Sequence, residues 1–184
     1  MNQSPIALDK GTGLEVELLP FGATIRSIRL FGQELTLNYP QATDYQTDEF
    51  YLGATAGRVA NRIAKGRFEL NGVAYQLDCN NGPNHLHGGV AGFNRQSWQV
   101  LKQQSDPVQL YLRSADGDQG YPGALQVWQQ FRIVDQQLEL SFLALSNKDT
   151  VLNLTNHCYF NLNNDGTSIE NHQLQLTATH YLPT

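Results

Sequence analysis

Residues 68 to 77 read Phe68-Glu69-Leu70-Asn71-Gly72-Val73-Ala74-Tyr75-Gln76-Leu77, and this stretch decides the fold class. Apolar and polar residues alternate on both sides of Asn71-Gly72, which is the period of a half-buried strand. Asn-Gly supplies the two positive-φ positions that a two-residue hairpin turn demands, so an antiparallel hairpin is expected. The same period recurs outward in both directions. Before the hairpin lie Leu14-Glu15-Val16-Glu17-Leu18 and Ala23 to Leu30. After it lie Trp98 to Gln103, Val108 to Arg113, Leu125 to Ile133, Gln137 to Leu145, Val151 to Thr155 and Gln173 to Ala178. No stretch repeats apolar residues at i, i+3, i+4 and i+7, and only Asp44 to Phe50 suits a turn of helix. So many strands on short polar connections predict an all-β antiparallel sandwich.

The chain has 184 residues, the size of one domain with a sizeable core, so residues 1–184 are expected to form a single domain. Charged residues make up 16%, below the roughly 25% of ordinary soluble domains. The net charge of −5 weighs against a nucleic-acid partner, which needs a basic patch to neutralise phosphates, and against an anionic membrane surface. A neutral small molecule stays open. Met1 to Pro5 carries neither a cationic start nor an apolar run, and no apolar stretch approaches the roughly 20 residues of a membrane helix. The cytoplasm is the expected compartment. Cys79 and Cys158 are too few for a disulfide framework and are expected to be small buried or half-buried thiols.

Two segments break the strand rhythm, Gly53 to Gly66 and Asn80 to Gln96, and long ordered loops on a β scaffold are where binding groups sit. His85-Leu86-His87 could offer two metal ligands from one strand face, but no third ligand lies near it in the sequence. Cys158 adjoins His157, yet neighbours on an extended strand point to opposite faces, which argues against a thiol–imidazole pair. Arg58 and Arg62 sit in apolar surroundings. The planar fork of Arg62 suits either sugar hydroxyls or a structural ion pair, whereas Arg58 is expected to face protein, paired with a carboxylate or a backbone carbonyl.

Gly57-Arg58-Val59-Ala60-Asn61-Arg62-Ile63, Leu86-His87-Gly88-Gly89 and Gly92-Phe93-Asn94 resemble the aldose 1-epimerases, the galactose mutarotase family. Asp118-Gln119-Gly120-Tyr121-Pro122-Gly123 and Asn156-His157-Cys158-Tyr159-Phe160-Asn161-Leu162 continue the resemblance in order along the chain. It implies a large antiparallel β-sandwich and the interconversion of the α and β anomers of a free aldohexose such as galactose or glucose. It also implies that His157 is the general acid on the ring oxygen, that Asn61, Arg62 and His87 bind the sugar, and that Tyr159 lines the same pocket. No metal or organic cofactor is implied. Two other readings stand beside it: a non-catalytic sugar-binding sandwich, and a hexose-phosphate epimerase, which would bring further cations to the pocket.

The chain departs from the family pattern in one respect. The family's catalytic base is a glutamate far toward the C-terminus, preceded by a sugar-binding aspartate, and this chain reaches only Thr184. Glu49, Asp116, Asp118 and Glu170 match no catalytic motif. The expectation is therefore an incomplete sandwich that is inactive alone and self-associates through exposed strand edges.

Overall fold

The computed structural model describes residues 4–103, 107–163 and 166–180. The reading of Met1 to Pro5 falls partly outside these residues, and that of the terminal Tyr181 to Thr184 wholly outside. Strands β1 (Ile6–Asp9), β2 (Leu14–Leu19), β3 (Thr24–Leu30) and β4 (Gln33–Glu34) form one antiparallel sheet in sequence order. Short ribbons follow: β5 (Thr55–Ala56), β6 (Arg62–Ile63), β7 (Arg67–Leu70), β8 (Val73–Gln76) and β9 (His85–Leu86). A second antiparallel sheet contains β10 (Gln99–Lys102), β11 (Val108–Ser114), β12 (Leu125–Val134) and β13 (Gln137–Ser146). The last described strand is β14 (Thr155–Asn156).

Alternation drives both sheets. The inward residues of β2 and β3, Val16, Leu18, Ile25 and Ile28, share one core with Leu110, Leu112, Val127, Phe131 and Ile133 of β11 and β12. Phe93 and Trp98 join it as a T-shaped pair, ring centroids 5.9 Å apart. Each such side chain contributes about 1.5–3 kcal/mol by leaving water. The β7–β8 hairpin turns on Asn71 and Gly72, both at positive φ (51° and 75°), the mirror-type turn that matches strand twist.

Three sequence expectations are corrected. Val151 to Thr155 is no continuous strand: only Thr155 and Asn156 pair, with β5, while Asn153 bridges in parallel to Val59. Gln173 to Ala178 alternates yet forms no strand, because no described segment pairs with it; Leu174 is 85% exposed. Cys79 is exposed, its thiol donating to the Pro83 carbonyl. The turn of helix expected over Asp44 to Phe50 is a short 3-10 turn at Ala42–Gln46.

Candidate active site

The segment Gly53 to Ile63 is the spine of the site, because it pairs with two distant stretches at once. On one side, β5 pairs with β14; beyond that pair the His157 amide donates to the Ala54 carbonyl (2.9 Å), and Gly53 returns a bond to the His157 carbonyl (3.0 Å). On the other side, β6 pairs with β9, and the His87 amide donates to the Asn61 carbonyl (3.1 Å). Gly88 is required here. It has φ +91°, and a Cβ on it would lie 1.7 Å from the Gly57 carbonyl oxygen, so only glycine lets the two loops close.

Ala60, Asn61, Arg62, Leu86, His87, Thr155, Asn156, His157 and Cys158 line a cleft of about 580 Å³. The imidazoles of His87 and His157 cross almost at right angles (87°) with centroids 5.0 Å apart. Tyr51 packs against both, and Tyr159 against His157 at 5.1 Å. Arg62 donates from Nε to Asn81 Oδ1 (3.0 Å) and from its guanidinium to Asn61 Oδ1 (3.4 Å). These bonds aim its fork along the wall of the cleft.

The tautomer of His87 follows from its partner. The Asn61 amide can only donate, and it donates to His87 Nδ1 at 3.0 Å, so the proton of a neutral His87 sits on Nε2. Burial, helped by His157 and Arg62, lowers the His87 pKa to about 4. At neutral pH His87 is an uncharged donor. The two histidines thus lie side by side without both needing charge.

The structure brings Asn61, Arg62, His87 and His157 to one cleft and sets Tyr159 at its edge. The Tyr159 hydroxyl is already spent on the Phe50 carbonyl (2.9 Å), so Tyr159 offers the cleft its ring. His85 separates from His87: it is fully buried, donates from Nδ1 to the Asp78 carbonyl (2.8 Å) and accepts the Tyr121 hydroxyl at Nε2 (2.8 Å). With both nitrogens used, it cannot join His87 around a metal. The positive φ of His87 (51°) breaks the strand geometry that a shared face assumed. Cys158 turns toward the core, where burial pushes its thiol up to about 12, so no thiolate serves His157.

Arg58 faces protein. It is 2% exposed and donates to the Pro122 carbonyl (2.9 Å), the Ala115 carbonyl (2.7 Å) and Ser114 Oγ (2.7 Å and 3.0 Å). The carboxylate in this group is Asp118, one step removed, accepting from Ser114 Oγ. Sequence reasoning omitted Tyr51 and Asn81. The one signal for them was position: Tyr51 opens the Gly53 loop, and Asn81 lies in the second irregular segment.

An antiparallel sandwich with crossed histidines, an arginine and an asparagine on irregular loops defines a β-sandwich protein of the mutarotase type. The sequence profile described as aldose 1-epimerase matches residues 4–184, and the chain belongs to that family. It is 38% identical to the aldose 1-epimerase of Escherichia coli K12 over 97% of this chain and 53% of that protein. It is 39% identical to the galactose mutarotase of Bos taurus over 92% of this chain and 51% of that protein. Among solved structures, an aldose epimerase homologue from C. elegans superposes with TM-score 0.84 at 32% identity, covering 90% of this chain and 52% of that one. The galactose 1-epimerase of Lactobacillus acidophilus gives TM-score 0.78 at 32% identity, covering 85% and 48%. The chain spans about half the length of the curated relatives it matches.

Proposed function

We propose that the cleft holds the ring of a free aldohexose, galactose or glucose, and that His157 is the general acid of anomer interconversion in the whole protein. The observation that carries this reading is the meeting of His87 and His157, 70 positions apart in sequence, at 5.0 Å in one cleft walled by Asn61 and Arg62. Ring opening needs a proton on the ring oxygen while the anomeric hydroxyl loses one. An imidazole gives up its proton near neutral pH, which suits His157 to the first task. The His87 Nε2–H and the Arg62 fork donate to neighbouring oxygens, fixing the sugar and offsetting charge as it moves. Proton return after rotation about C1–C2 closes either anomer.

The base is a separate matter. Among the described residues no Asp or Glu lines the cleft, and Arg62 is the single cation there. One cation suits a neutral sugar better than a hexose phosphate. These 184 residues therefore supply the acid and the binding wall, and we expect little mutarotation from them alone. The core shared by both sheets supports reading residues 1–184 as one domain, and the cytoplasm is the compartment we propose. Polarimetry on α-galactose with the whole protein tests the reading. His157→Asn is expected to lower kcat by roughly 10²- to 10⁴-fold; turnover near wild type would remove His157 from the chemistry.

A further inference from the structure

Among the described residues Tyr51 is the aromatic ring in contact with both site histidines: its centroid lies 4.6 Å from His87 and 5.8 Å from His157. Its backbone has φ +59°, a left-handed conformation that a bulky side chain rarely adopts. Such a conformation persists only where the surroundings over-determine it, and here they do. The buried carboxylate of Asp48 accepts from the amides on either side, Phe50 and Leu52, each at 2.9 Å, and from the Tyr39 hydroxyl at 2.9 Å. Tyr159 donates to the Phe50 carbonyl, and Ala54 donates to the Tyr51 carbonyl (3.1 Å). The hydroxyl of Tyr51 hydrogen-bonds to no described residue, and its contacts with the two histidines are made by its ring.

We propose that Tyr51 is a positioning residue of this site: its ring holds the His87 and His157 imidazoles in their crossed arrangement and shields His87 from water. The purpose of this device rests on the sugar-binding reading, whereas its geometry does not. The groups facing His87 are the Tyr51 ring, the His157 imidazole, the Arg62 guanidinium and the Asn61 amide, with Asp48 and Arg95 behind Tyr51. Of these, His157 and Arg62 disfavour charge on His87. Burial is the largest cause of its low pKa. Removing the ring admits water, and the imidazolium gains most from that. A charged His87 could no longer accept the Asn61 amide, and it would set like charge against a protonated His157.

The test is imidazole NMR on the sugar-free 184-residue chain, reading titration and tautomer for each histidine. Tyr51→Phe keeps the ring; Tyr51→Asn and Tyr51→Gly remove it and tolerate positive φ. His87 in Tyr51→Phe is expected to titrate near 4 with the proton on Nε2. In Tyr51→Asn and Tyr51→Gly it should rise by about one unit or more toward its ordinary value near 6.5, while the signals of His172 and His180, which do not line the cleft, are unchanged. An unchanged His87 in the ringless variants overturns the proposal. So does loss of the folded amide spectrum in both of them, which would make Tyr51 a stability residue instead. A separate galactose addition tests the sugar reading, so either idea can fail without the other.

Discussion

His87 shows how one backbone amide can decide the chemistry of a side chain. The Asn61 N–H fixes the imidazole proton on Nε2, and burial lowers the pKa to about 4. A histidine whose folded pKa is depressed resists the proton that the unfolded chain accepts. Stability is therefore expected to fall as pH drops from about 6.5 to about 4, where the unfolded state binds a proton at this position and the folded state does not. Buried His85, also lowered by desolvation, contributes in the same sense. Urea midpoints measured across this window should fall with pH, and His87→Gln should flatten part of the slope. An identical slope in the variant would show that His87 is not held neutral. That Arg62, His87 and His157 meet in one cleft was legible in the sequence through the motifs that carry the family resemblance. Tyr51 was not, because its role depends on a left-handed backbone and a buried carboxylate three positions earlier, neither of which has a sequence period.

At the scale of elements, the irregular loops are held by buried polar groups as much as by apolar packing. Arg58 ties the Gly53 to Ile63 spine to the end of β11 and to the 115–122 loop through carbonyl and hydroxyl acceptors. Burial lowers its pKa, and nearby Asp118 opposes that shift. Lysine brings the charge but not the fork, leaving acceptors in the interior without donors. Arg58→Lys is expected to cost about 2–4 kcal/mol, read as a lower urea midpoint. A midpoint within experimental error of wild type would mean the loops are pinned otherwise. The strands with strict alternation, β11 and β12, and β2 as far as Leu18, were readable because one face of each meets the core, whereas in β3 a register shift opposite Glu17 and Leu18 puts Ile25 and Ile28 on the same side. Val151 to Thr155 and Gln173 to Ala178 were misread because alternation states which face wants burial, and not whether a partner is there to pair.

The whole molecule leaves one face uncovered. Ile25, Ile28, Leu30 and Leu35 face Leu138, Leu140 and Phe142 across an apolar groove of about 510 Å³. Among the described residues β13 pairs only with β12, so its other edge is open, and Leu143 and Leu145 are 58% and 54% exposed. Of its ten residues only Glu139 is charged, so the edge lacks the lysines and prolines that discourage pairing. The 184-residue chain is expected to self-associate in a concentration-dependent way by light scattering. Leu143→Lys should weaken that association, and a strict monomer at all concentrations would refute it.

The measurement that bears most directly on the central claim is an NMR titration of the histidine imidazoles with D-galactose. The account predicts saturable shifts at His87 and His157, with His172 and His180, neither of which lines the cleft, unmoved. Arg62→Met should abolish the saturation while leaving the free spectrum folded. Saturable binding that leaves His87 and His157 unshifted, or no binding up to the solubility of the sugar, would contradict it.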